Sequence, residues 1–288
     1  MTLRVNKKKV KRTILIVDAI LATVLVVATV MLISYGVNYG KNRALYSEAA
    51  ELAVTEATPS PTPETVETAG ITEAAQVAEL AEAAAPQTTD AWEPPKEKPP
   101  ITVDFAAIRE KGTHVQAWLY SPDTVINYPV VYYSNNDYYL THAYDGSRSD
   151  GGALFFDTRC GKDLSGQNLI IYGHHMKDKS MFGSLLNYQK KEYYNAHPVL
   201  YLLTPEQNYR VEVFAAWHCD SSSEHFPIWF SNEATRKQFI ENAENATGYD
   251  MDVSFRNQAT VLSLVTCSYS QYLDDAKFMV NGYLVPIG

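Results

Sequence analysis

Residues 13–35, from Thr13 to Tyr35, are almost continuously apolar, and Asp18 is the one charge among them. A run of that length crosses a bilayer as a helix of about 20 residues. Everything before it and everything after it then lie on opposite sides of a membrane. Residues 1–12 ahead of it carry Arg4, Lys7, Lys8, Lys9, Lys11 and Arg12. The positive-inside rule therefore puts the N-terminus in the cytoplasm and the rest of the chain outside. Asp18 lies roughly a turn from the cytoplasmic end, where a charge costs less than at the bilayer centre. A cleaved signal peptide is the rival reading, but its apolar core is about 7–15 residues long and ends at a small-residue cleavage site. Neither feature is present, so the expectation is a single-pass anchor in the cell membrane with an extracellular domain.

Charge divides the chain in the same way. The net charge is −9, but residues 1–43 hold eight basic and one acidic residue, and residues 44–100 hold two basic and eleven acidic. The remainder, with fourteen basic and twenty-one acidic, has no basic stripe of the kind nucleic-acid binding requires. Nucleic acid is thereby excluded as a partner, while the basic start of the chain suits anionic lipid heads.

Residues 36–100 read as an extracellular low-complexity stalk. They are rich in Ala, Thr, Glu and Pro, and from residue 44 onward Tyr46 and Trp92 are the only aromatics. Such a composition buries too little apolar surface to offset the entropy of ordering. Ile71–Ala85 has the composition of a transient helix, and Pro94-Pro95 and Pro99-Pro100 favour stiff extension. The folded domain is expected over 101–288. A short helix is predicted over Val103–Lys111, and strands over Trp118–Tyr120, Val125–Tyr133, Ala153–Asp157 and Asn168–Tyr172. Ser180–Tyr188 has one-sided helical spacing. Pro198–Leu203 and Tyr209–Trp217 read as a strand pair, Asn232–Ala246 as a helix, and Thr260–Cys267 and Lys277–Val285 as closing strands. Many short strands with few helices predict a mostly β fold, a closed or nearly closed β-barrel with peripheral helices.

Two of these strands carry chemistry. Thr260-Val261-Leu262-Ser263-Leu264-Val265-Thr266-Cys267 is a buried strand that delivers a thiol at its end. Asn168-Leu169-Ile170-Ile171-Tyr172-Gly173-His174-His175 is another that runs into histidine. A lone Cys267 would read as a small core hydrophobe; a second, histidine-ended strand upstream supplies the acid–base partner of a cysteine nucleophile. Three cysteines make an odd count, so Cys160 and Cys219 could pair and leave Cys267 free. A zinc site from His174, His175, His218 and Cys219 lacks the usual ligand spacing. No metal and no cofactor is expected.

Tyr172-Gly173-His174-His175-Met176 followed by Ser180-Met181-Phe182-Gly183 resembles the histidine segment of class B sortases, and Leu262–Cys267 resembles their Thr-Cys nucleophile strand. Tyr128-Pro129-Val130-Val131, Asn136-Asp137-Tyr138-Tyr139-Leu140 and Phe214-Ala215-Ala216 fit in the same order. The resemblance covers about residues 101–288. It implies a membrane-anchored cysteine transpeptidase of Gram-positive bacteria. Cys267 would attack the Thr carbonyl of a C-terminal sorting motif, NPxTN-like or (S/N)PxTG-like, on a secreted protein. The acyl group would pass to a cell-wall precursor amine or to a pilin Lys. His174, directly after the Gly, would be the general acid–base, and His175 a surface or substrate-lining residue. Asn136, Leu140 and Thr266 would contact substrate. The segment Ser221–Phe230 and the helix after it would shape the groove, with Phe226, Ile228, Trp229 and Phe230 either meeting the motif's Pro or packing the helix onto the barrel.

The third catalytic position departs from the family pattern. Where an Arg is expected, the sequence has Lys277, and no Arg follows Cys267. Lys keeps the charge but not the planar, bidentate donor set. Lys277 could substitute at reduced rate, Arg210 or Arg256 could reach in, or activity could be lost. The last case would leave a tethered module that binds sorting peptides. A cell-wall cysteine peptidase is a further alternative, but such enzymes usually place the nucleophile ahead of the histidine and at a helix N-terminus.

Overall fold

The computed structural model describes residues 7–57, 97–267 and 275–288. The Ala-rich stretch, the Pro-rich pieces before Glu97 and nearly all of the link after Cys267 lie outside these. In chain order the described elements are α1 (Lys7–Ala53), β1 (Val54–Glu56), β2 (Ile101–Val103), α2 (Phe105–Lys111), β3 (Val115–Tyr120), β4 (Asn127–Val131), β5 (Leu154–Phe156) and β6 (Asn168–Tyr172). A 3-10 stretch, Phe182–Gln189, then leads to α3 (Lys191–Ala196), β7 (Val199–Leu203), β8 (Asn208–Cys219), α4 (Glu233–Thr247), β9 (Val261–Cys267) and β10 (Lys277–Ile287). Eight strands close a barrel in the order β10-β8-β7-β3-β4-β5-β6-β9, the fold class expected.

β6 and β9 lie side by side and parallel, Asn168 opposite Val261 and Tyr172 opposite Val265. Both are buried on both faces, which is why they read as near-continuous apolar runs. The parallel pairing brings both strand ends, Gly173-His174 and Thr266-Cys267, to the same rim. β10 runs antiparallel beside β9, so its first residue, Lys277, is the Cα partner of Cys267.

A buried polar ladder crosses the sheet beneath that rim. Trp217 Nε1 donates to Asn281 Oδ1 (2.9 Å), Asn281 Nδ2 to Ser263 Oγ (2.8 Å) and Ser263 Oγ to Asn168 Oδ1 (2.7 Å). Asn168 Nδ2 donates to the Pro227 carbonyl (2.7 Å), which ties the β8–α4 connection to the barrel wall. α4 begins at a capping box in which Asn232 accepts from Thr235 N, and ends at left-handed Gly248. Its Phe239, Ile240 and Ala243 are buried.

The N-terminal helix differs from expectation. Its first part includes a stretch of mean hydropathy 2.7 with none of it buried, the one such helix among the described residues. Past Tyr35 the helix continues to Ala53, where the composition had suggested stalk. Tyr46, Ala49 and Ala53 are 4%, 0% and 3% exposed, packed on the barrel's core. β1 then pairs with β2, Val54 opposite Val103. Burial against the barrel supplies the order that composition alone could not, so the folded body takes in residues well before Ile101.

Candidate active site

Cys267 is the last residue of β9 and its thiol is exposed. Cys160 and Cys219 are buried free thiols and form no disulfide. Burial pushes them up to about 11 and about 12, so they stay protonated and inert. Alternation along β9 puts Ser263, Val265 and Cys267 on one face and Leu262, Leu264 and Thr266 on the other. Thr266 is 2% exposed, and its hydroxyl has no hydrogen-bond partner among the described residues. Its side chain thus lies on the opposite face of β9 from the thiol.

Lys277 Nζ lies 3.8 Å from Cys267 Sγ and 2.8 Å from Asp275 Oδ1. Burial pulls the ammonium's pKa down, but the Asp275 carboxylate and the neighbouring sulfur outweigh it and hold the pKa above the ordinary value. Asp275 is held below the usual carboxylate range by its hydrogen bonds to Lys277 and Ser221 and by the Lys277 charge. The expected alternatives to Lys277 are committed elsewhere. Arg210 pairs with Glu97 (2.6 Å) and sits opposite Val285, at the far end of β10 from Lys277. Eight residues of strand separate the two, about 26 Å. Arg256 is ion-paired with Glu212 at that same end.

His174 is half-buried, and its Nε2 is 2.7 Å from the Leu140 carbonyl oxygen. A carbonyl can only accept, so Nε2 carries the hydrogen and the neutral ring keeps its lone pair on Nδ1. Among the described residues, no hydrogen bond joins His174 to Cys267. His175, expected as a surface or substrate-lining residue, is hydrogen-bonded to the Cys267 backbone. Its pKa is lowered by burial and then by Lys179.

Leu140 is 39% exposed and brings its carbonyl to His174. Asn136 accepts from the Thr158 backbone N–H (2.9 Å) and so fixes the loop after β5. Of the four apolar residues in the β8–α4 connection, Phe226 and Ile228 are buried. Phe230 packs on Phe239 (5.4 Å) and Trp229 stands 58% exposed. The missed contributors are Asp275 and the Leu140 carbonyl; a backbone carbonyl leaves no mark in a sequence.

No protein-family model matches the chain. Sortase B of Listeria monocytogenes serovar 1/2a is 30% identical over 168 residues, covering 58% of this chain and 68% of that protein. The chain belongs to the sortase B family. Sortase B of Staphylococcus aureus is 25% identical over 173 residues, covering 59% of this chain and 71% of that one. Among solved structures, sortase B from B. anthracis in complex with AAEK1 matches with a TM-score of 0.65 at 25% identity. That match covers 87% of this chain and 99% of that one. The Staphylococcus aureus sortase B–substrate complex has the same fold at a TM-score of 0.60 and 24% identity, over 64% and 85% of the two chains. This protein is accordingly a sortase B-type enzyme, a cysteine transpeptidase in general class, with a single N-terminal apolar helix suited to a membrane anchor.

Proposed function

We propose that Cys267 is the nucleophile, His174 the general acid–base and Lys277 the cation that stabilises the developing oxyanion. The observation that carries this reading is the exposed thiol of Cys267 with Lys277 Nζ at 3.8 Å, on the same rim as a histidine held in one tautomer. Cys267 gives its thiol proton to the free Nδ1 of His174, and the resulting thiolate adds to the Thr carbonyl of a sorting motif, NPxTN-like or (S/N)PxTG-like. The C–N bond after Thr then breaks, the leaving amine takes a proton from His174, and a thioester remains on Cys267. An incoming amine gives up its proton to His174 and attacks the thioester, which forms the new amide and frees the thiol. The ammonium of Lys277 balances negative charge on the carbonyl oxygen in both halves, with fewer fixed donors than an Arg fork.

The substrate groove in this account runs past Asn136 and Leu140 to exposed Trp229, with the Thr266 backbone near the bound carbonyl. The acceptor is a cell-wall precursor amine or a pilin Lys. Residues 1–12 lie in the cytoplasm and 13–35 span the membrane. The barrel stands outside, and residues 36–100 include both the packed end of α1 and the low-complexity stretch.

The test is cleavage of a fluorogenic peptide panel carrying both motif types, with an amine acceptor, by the full chain in nanodiscs. Turnover by wild type and none by Cys267→Ala or His174→Ala supports the reading. Peptide binding without turnover in the wild type would replace it with a sorting-peptide-binding module. Hydrolysis that added amine never diverts would replace it with a cysteine peptidase.

A further inference from the structure

The part of α1 beyond the apolar run lies against the segment that abuts His174. Asn38, Asn42, Tyr46, Ala49 and Ala53 follow one another at spacings of three or four, one face of a helix. Asn38 Nδ2 donates to Asp150 Oδ2 (3.1 Å), and Asn42 Oδ1 accepts from Ser149 Oγ (2.7 Å). Tyr46 OH donates to the Gly152 carbonyl at 2.7 Å in a fully buried bond. The Tyr46 ring is wedged edge-on against Tyr128, at 5.2 Å between centroids, and beside Tyr144 at 5.8 Å. Residues 149–152 are therefore fastened to α1 by three side chains in succession.

The other side of the same peptide faces the site. Gly152 has φ +57°, and a Cβ there would stand 3.0 Å from the Leu140 oxygen and 3.1 Å from His174 Cδ2. The Leu140 oxygen is the atom that accepts from His174 Nε2. The space that a side chain at residue 152 would need is thus already filled by the imidazole and by the group that fixes its tautomer, while Tyr46 holds the Gly152 carbonyl from behind.

We infer that Asn42 and Tyr46 are positioning residues for His174, and that the anchor helix is a working part of the active site's scaffold rather than a tether. The inference rests on His174 being the acid–base. Tyr46 lies eleven residues beyond Tyr35, about 16 Å along a helix. The helix that leaves the membrane is the one that orients the histidine, so the site keeps a fixed height above the apolar span.

The experiment uses the full chain in nanodiscs and compares Tyr46→Phe, the double variant Asn42→Ala/Tyr46→Phe and, as a control on the exposed side of the helix, Ser47→Ala. Tyr46→Phe keeps the ring packing and removes only the hydroxyl. Displacing a catalytic group from its aligned position costs up to a hundredfold in rate. Tyr46→Phe is therefore expected to lower kcat roughly tenfold with KM within about twofold, and the double variant to lower it further. Ser47→Ala is expected to match wild type. Imidazole ¹⁵N spectra supply a readout that simple destabilisation leaves unmoved. Wild type is expected to show His174 as the Nε2–H tautomer, and Tyr46→Phe a mixture of tautomers. Unchanged kcat and an unchanged tautomer in the double variant would overturn the inference. The spectra answer this question even if wild type does not turn over, whereas absent turnover would count against the enzyme mechanism alone.

Discussion

Replacing Lys277 tests the least conventional part of the site. Lys277→Met removes the charge and keeps most of the side-chain volume. A unit positive charge 3.8 Å from a negative one is worth about 4 kcal/mol at an effective dielectric of 20 and about 1 kcal/mol in bulk water. The Lys277 side chain is 20% exposed and shares its charge with Asp275 at 2.8 Å, so the lower part of that range applies. A loss of about 1–2 kcal/mol of transition-state stabilisation lowers kcat/KM about five- to thirtyfold. Lys277→Arg places a planar fork in the same register and is expected to raise kcat/KM above wild type, because two donors can meet the oxyanion together. The assay is steady-state cleavage of one fluorogenic sorting peptide at pH 7, with melting temperatures to confirm that each variant is folded. Lys277→Met within twofold of wild type would refute the role given to the ammonium. Lys277→Arg falling below Lys277→Met would refute the geometry.

Three further outcomes follow from particular contacts. Gly152→Ala drives a methyl into the Tyr139 carbonyl oxygen and then against the Leu140 oxygen and His174, at a left-handed φ, so the 139–140 backbone beside His174 must shift. Its kcat should fall at least roughly tenfold while peptide KM changes little, and a wild-type kcat would contradict the packing described. Asn168→Ala cuts the ladder that holds Pro227 and leaves Ser263 without its acceptor. It should cost about 1–3 kcal/mol by urea unfolding and raise peptide KM; no loss of stability would show that the ladder is dispensable. Asp157 is buried, which raises its carboxyl, but hydrogen bonds from Arg159 and Tyr172 and the Arg159 charge bring it below its ordinary value of 3.8. A depressed folded value means that its stabilisation is present above about pH 4 and is lost as pH falls through that lower value. Asp157→Asn should therefore be less stable than wild type at pH 7, with the gap narrowing in acid. A gap that stays constant from pH 7 to pH 2 would contradict this.

The strands that build the site were legible because they are parallel and buried on both faces. Asn168–Tyr172 and Val261–Cys267 have uninterrupted apolar character for that reason, and Gly173-His174 and Thr266-Cys267 mark their ends. The helix over 232–246 was legible from its sequence pattern, and the structure adds the Asn232 cap and the left-handed Gly248 that bound it. The extension of α1 was present as spacing, Tyr39, Asn42, Tyr46, Ala49 and Ala53, but was concealed by Gly36, Gly40 and an Ala- and Glu-rich composition. Only the barrel wall that those residues cover makes the pattern a packed face. What holds His174 was also hidden. It is a backbone carbonyl thirty-four residues away, braced by a glycine and a tyrosine from two other segments. Thr266 was legible as a neighbour of Cys267, but not that strand alternation buries its side chain on the opposite face from the thiol.

The most direct test of the central claim is the intact mass of the full chain after brief exposure to a sorting peptide without amine acceptor. The account predicts an added mass equal to the peptide's portion up to and including Thr, located on Cys267. It should be absent in Cys267→Ala and lost when an amine acceptor is added. Peptide cleavage with no such adduct at any time point, or an equal adduct on Cys267→Ala, would contradict covalent catalysis by Cys267.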